Sequence, residues 1–184
     1  VMADGSLHIT AQRTSDTTFT SARIKTANRL YVKYGTIEAR IRLPDVRKGL
    51  WAAFWTIGES FPEVPWPACG ELDLMEVGGA RAYQEGLPNR RVLSAVHLER
   101  EGRHAPVIYW TDPPYTLNGT FHTFRMEWTP DMVRMTVDDQ QSLYVNIHHD
   151  HCLECEELHQ PHYIILNLAV GGGFTHIPGD ANDA

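Results

Sequence analysis

The chain has 184 residues, 42% of them hydrophobic, which is enough to bury a core within one domain spanning residues 1–184. Its formal net charge of −7 opposes phosphate backbones and other polyanions, so no nucleic-acid partner is expected and a neutral polymer suits the surface better. No apolar run approaches the roughly 18–20 residues that cross a bilayer, so no membrane partner is expected, and the expected state is a monomer.

The opening Val1-Met2-Ala3-Asp4-Gly5 lacks the basic and apolar regions of a signal peptide. A signal removed earlier would leave the same sequence, so this does not place the chain in the cytosol. Period-two alternation dominates from here on. Ser6–Gln12, with Leu7, Ile9 and Ala11 inward, predicts a first strand. In Thr36–Leu43, Ile37, Ala39, Ile41 and Leu43 share one face, while Thr36, Glu38, Arg40 and Arg42 share the other. That predicts a half-buried strand between Gly35 and Pro44. Val92–Leu98, Thr120–Trp128, Met132–Val137 and Gln141–Ile147 predict further strands, with Trp128 in the core and a hairpin turn at Asp138-Asp139-Gln140. The charged stretch Cys152–His159 predicts one or two helical turns. Tyr163–Val170 is nearly all apolar, as in a central strand covered on both faces, and Gly171-Gly172-Gly173 stops it. Many short strands separated by turns predict an all-β sandwich or barrel, an architecture that can leave a concave face open as a cleft.

The chemistry concentrates in Gly70-Glu71-Leu72-Asp73-Leu74-Met75-Glu76-Val77-Gly78-Gly79. Residues two apart on a strand share a face, so Glu71 and Asp73 point the same way and Glu76 has the wrong parity. A one-residue bulge near Leu74-Met75 would bring Glu76 to their side and leave Leu72 and Leu74 facing the core. Three like charges in a row cost stability, and such arrangements persist for metal binding or acid–base work. The competing reading is a solvated face of an edge strand.

These residues resemble the signature of family-16 glycoside hydrolases, E-[ILV]-D-x-x-E. Flanking blocks resemble the family in order: Thr20–Thr26, Lys33–Ile41, Gly49–Trp55, Phe121–Trp128 and Leu166–Gly172. The resemblance implies a β-jelly-roll sandwich of the concanavalin A-like kind, with the substrate cleft on its concave sheet. It implies a retaining mechanism with Glu71 as nucleophile, Glu76 as general acid/base and Asp73 as their polar helper. The extra residue Met75 matches the laminarinase-like form, which implies a secreted endo-β-1,3-glucanase acting on a polysaccharide. Mixed-linkage glucan, galactan, transglycosylation and a non-catalytic glucan-recognition module are the alternatives. No cofactor is implied for catalysis and no catalytic metal. Many members bind a structural calcium ion through terminal strands, and the counterparts of those strands are expected to be missing here.

Sugar rings stack on aromatic faces, so Trp51, Trp55 and Trp66 are candidate substrate contacts, each with core packing as the alternative. His97 resembles the family histidine that faces the acid/base; a structural histidine is the alternative. Asn28 sits where members contact sugar, or is a turn residue. Cys69 is expected to be free and buried. Cys152 and Cys155, near His148, His149, His151 and His159, are expected to form a local disulfide, with a zinc site as the alternative.

Overall fold

The computed structural model describes residues 2–16, 18–47 and 49–176. Ten strands make two antiparallel sheets: β1 (Arg23–Lys25), β2 (Gly35–Ile41), β3 (Leu50–Gly58), β4 (Glu71–Val77), β5 (Val92–His97), β6 (Val107–Thr111), β7 (His122–Trp128), β8 (Met132–Val137), β9 (Gln140–Asn146) and β10 (His162–Val170). Six of them form one sheet in the order β6-β5-β4-β3-β10-β1, and four form the other in the order β9-β8-β7-β2. The sheets face each other across one apolar layer, as in a jelly roll.

Alternation explains that layer. In β7, His122, Phe124, Met126 and Trp128 are buried and the residues between them are not. Its partner β2 turns Ile37, Ala39 and Ile41 the same way, as the sequence predicts. The opposite sheet contributes Leu72, Leu74, Met75, Val92 and Val96. Trp128 is 1% exposed, and its indole N–H donates to the Leu158 carbonyl at 3.0 Å. The rings of Tyr34 and His162 meet it edge-on, at 5.5 and 5.1 Å. On the outer face of the small sheet, Arg125 pairs with Glu38 and Glu127. Those partly exposed pairs add little stability.

Some expectations shift. Ser6–Gln12 is not one strand. Asp4 and Gly5 take positive φ, 55° and 73°, and fold Ser6-Leu7 back onto Met2-Ala3. Residues 8–11 lie outside any strand; Ile9 and Ala11 still reach the core, but Leu7 is 44% exposed. The helical stretch contracts to one 3₁₀ turn, Glu156–His159. A five-residue helix, Ala80–Gln84, is too short to have left a periodic signal. The hairpin turn falls on Asp138 and Asp139, whose φ values of 46° and 67° suit the twist of the flanking strands. Cys152 and Cys155 are bridged, and Cys69 is free and buried. Among the described residues, no helix is long and apolar enough to cross a membrane.

Trp128→Phe keeps most of the packing but leaves the Leu158 carbonyl without its donor, an expected cost of about 1–3 kcal/mol in chemical denaturation. Trp128→Ala should cost about 3–5 kcal/mol. A loss below about 1 kcal/mol for the alanine variant would contradict this account of the core.

Candidate active site

β4 lies inside the large sheet, between β5 and β3. Its register against β5 pairs Glu71 with His97 and Asp73 with Ala95, then slips by one residue and pairs Glu76 with Leu93. Against β3, Asp73 opposes Trp55 and Met75 opposes Phe54, so Leu74 is the extra residue. This is the bulge the sequence predicts at Leu74-Met75. Leu72, Leu74 and Met75 all enter the core. Glu71, Asp73 and Glu76 therefore share the open face of the sheet.

Glycines close both ends of this strand. Gly78 has φ 107°, and a Cβ there would stand 2.0 Å from the Leu50 carbonyl oxygen. Gly70 has φ 76°, with the Glu157 carbonyl oxygen 2.9 Å from where its Cβ would be. Only glycine fits either position without moving backbone.

The three acids are poorly hydrated: Asp73 is 3% exposed and both glutamates are half-buried. Burial is the largest cause that raises each carboxyl above the usual range. For Glu71 the charge of Asp73 adds to it and that of His97 opposes it. Glu76 is pushed up to about 8, by burial and then by Asp73, against a hydrogen bond from Trp51. Three neighbouring acids with raised pKa values share protons near neutrality. Such a site can hold one carboxyl protonated beside another that is ionised.

The expected site residues divide into three groups. Trp51 and Trp55 lie on the acid face, each half-buried. The Trp51 indole N–H donates to Glu76 Oε1 at 2.9 Å, and its ring packs on Phe174 at 5.0 Å. Trp55 donates to Asn167 Oδ1 at 2.8 Å and lies under the Arg23 guanidinium. Trp66 is 43% exposed and walls the other end of the acid row. Its ring lies 5.6 Å from His97 and 4.4 Å from His104. His97 Nε2 is 3.0 Å from Asp73 Oδ2 and 3.7 Å from Glu71 Oε1, so its direct neighbours are these two acids rather than Glu76. Asn28 is a turn residue with φ 63°, and its side-chain oxygen accepts a hydrogen bond from the Tyr31 hydroxyl.

Sequence reading missed His104, Asn167, Phe174 and Trp110. Asn167 had a signal, as the one polar residue in the apolar run from Ile164 to Val170. Trp110 pairs with Leu93 across β6 and β5 and stacks on Phe174 at 6.3 Å. His104 sits on a two-residue ribbon strand and bonds His97 Nδ1 through its Nε2 at 2.8 Å. No spacing in the sequence joins these two histidines.

Among the described residues, Glu71, Asp73 and His97 are the one group of three such side chains with donor atoms close enough to hold an ion. An imidazole nitrogen is a poor calcium donor. The calcium ion implied by the resemblance thus meets no matching side-chain cluster among the described residues.

Comparison with known proteins fits this geometry. The family pattern described as "Glycosyl hydrolases family 16" matches residues 1–176. A glucan endo-1,3-beta-glucosidase of Cryptopygus antarcticus is 33% identical, over 93% of this chain and 65% of that protein. The chain thus spans less than two thirds of that relative. A mixed-linkage glucan family-16 protein of Bacteroides ovatus, solved with a G4G4G3G product, superposes with a TM-score of 0.81. It is 30% identical and is matched over 96% of this chain and 77% of its own. The laminarinase catalytic domain of Thermotoga maritima superposes at 0.72 with 34% identity, over 90% of this chain and 64% of its own. The chain belongs to glycoside hydrolase family 16.

Proposed function

We propose that the chain carries the catalytic centre of a retaining endo-β-1,3-glucanase. The observation that carries this reading is the row of three carboxyls on one bulged strand, Asp73 buried and the two glutamates half-buried, flanked by Trp51, Trp55 and Trp66. In the first step an ionised Glu71 attacks the anomeric carbon while Glu76 gives its proton to the glycosidic oxygen. The carbon–oxygen bond to the leaving sugar breaks, and a glycosyl ester on Glu71 forms. In the second step Glu76 takes a proton from water. That water attacks the same carbon and frees Glu71 as a carboxylate. No cofactor enters either step.

Asp73 lies between the two glutamates in sequence and on their face. Its own burial resists ionisation, and its charge, when present, favours the protonated form of Glu76. The Trp51 N–H fixes the direction of the Glu76 carboxyl. A disulfide between Cys152 and Cys155 would suit an extracellular setting. Mixed-linkage glucan is the second substrate reading, supported by the superposition on the Bacteroides ovatus protein.

Three measurements test this. Glu71→Ala should lower reducing-sugar release from laminarin by about a thousandfold or more. Release from mixed-linkage glucan alone would keep the mechanism and change the substrate. No release from either polymer by the folded parent would overturn the enzyme reading.

The pH–rate profile should lose activity on its basic side as Glu76 deprotonates, near pH 8. In Trp51→Phe the N–H that lowers this pKa is gone, so the basic limb should move to higher pH. An unmoved limb would remove Trp51 from the acid/base function.

Stability should show the opposite side of the same burial. Glu76 has a raised folded-state pKa, so between about 4.5, its unfolded value, and about 8 the folded state binds more protons. Stability from this group therefore falls as pH rises through that window. Glu76→Gln should raise Tm at pH 7.5 by about 2–4 °C, for a gain of about 1 kcal/mol, and the gain should vanish near pH 4. An equal effect at both pH values would contradict the burial argument.

A further inference from the structure

Glu71, Asp73 and His97 each aim one donor atom into the same small space, with all three atoms within 4.8 Å of one another. Donors around a tetrahedral ion with bonds of about 2.0–2.1 Å stand about 3.4 Å apart. The separations from His97 Nε2, 3.0 Å to Asp73 and 3.7 Å to Glu71, bracket that value. The His97 nitrogen is near Asp73 Oδ2 but is not aligned with it as a donor. Among the described residues, that buried oxygen has no hydrogen-bond partner. It is an acceptor withdrawn from water and aimed at the position an ion would take.

The surroundings of His97 point the same way. Its far nitrogen is held by His104 Nε2 at 2.8 Å. A ligating imidazole is ordinarily oriented through that nitrogen. His104 is in turn packed against the Trp66 ring. Two carboxylates and one imidazole suit an ion of the zinc class, which takes three protein ligands and keeps an open position for water. Calcium and magnesium favour all-oxygen sets.

We propose that Glu71, Asp73 and His97 bind a zinc-class divalent ion in the substrate-free cleft, with His104 as the residue that orients His97. Bound there, the ion occupies two of the acids the glucan needs and excludes it. The exclusion rests on the glucanase reading; the binding does not.

Metal-free protein dialysed against micromolar zinc chloride, with bound zinc counted, tests the site. One zinc per chain is expected. Affinity should fall about 10-fold or more in Asp73→Asn, His97→Gln and His104→Ala, each first shown to be folded by circular dichroism. A triple alanine variant of His148, His149 and His151 should bind as the parent does. Parent-like zinc binding by folded His97→Gln, loss of zinc in the triple variant, or no zinc on the folded parent would each overturn the proposal. Added zinc should raise KM for laminarin and leave kcat unchanged; a fall in kcat alone overturns the exclusion. A chain that hydrolyses no glucan but binds zinc through His97 loses the enzyme reading and keeps the site.

Discussion

One extra residue in β4 sets the geometry of the whole open face. Leu74 and Met75 are consecutive, and both are buried in the core. A regular strand would send one of them to each face, and Glu76 would then point between the sheets. A carboxyl there would lie among Phe124, Met126 and Trp128, without water or partners. Ionised, it would be costly, and protonated, it would be useless to a substrate. The bulge resolves both problems at once: two apolar side chains go in, and the third acid comes out beside the other two.

The bulge works only because the strand ends cannot drift. Gly70 and Gly78 bring backbone against backbone at both limits of β4, at separations that admit no side chain. The acids therefore take their positions from main-chain register, with side-chain freedom left for the reaction. Around them, the tryptophans act through their N–H groups as well as their faces. Trp51 reaches Glu76 and Trp55 reaches Asn167, so each ring is held at a fixed angle to the sheet. A wall built from such anchored rings keeps its shape with no ligand present.

This division between main chain and side chain explains what was legible in the sequence. Strands with an apolar face and a polar face, such as β2 and β7, are read directly from period two, and the parity of Glu76 shows where a bulge would bring it beside the other acids. The Asp138-Asp139 turn is read from residue chemistry. Ser6–Gln12 misleads, because three alternating positions carry less information than the positive φ at Asp4 and Gly5, which redirects the chain. At the site, the three acids were legible because they are local to one strand. The His97–His104 pair was not, because it depends on how a two-residue ribbon folds back. Neither were Phe174 and Trp110, which meet only after the sheet forms. Asn28 is legible as a turn residue, and the left-handed backbone and the bond with Tyr31 agree with that.

The neighbours around the acids suit the proposed chemistry. An acid/base that must donate a proton near neutrality requires a raised pKa, and a cation alongside would defeat this by stabilising the carboxylate. The group that holds Glu76 is a neutral indole N–H, which gives direction at a small cost in pKa. Burial likewise pulls His97 below its ordinary range, so near neutrality it favours the uncharged imidazole. An arginine in either place would tie the acids down more firmly and leave them ionised. In this chain the orientation of Glu76 thus comes from an uncharged donor.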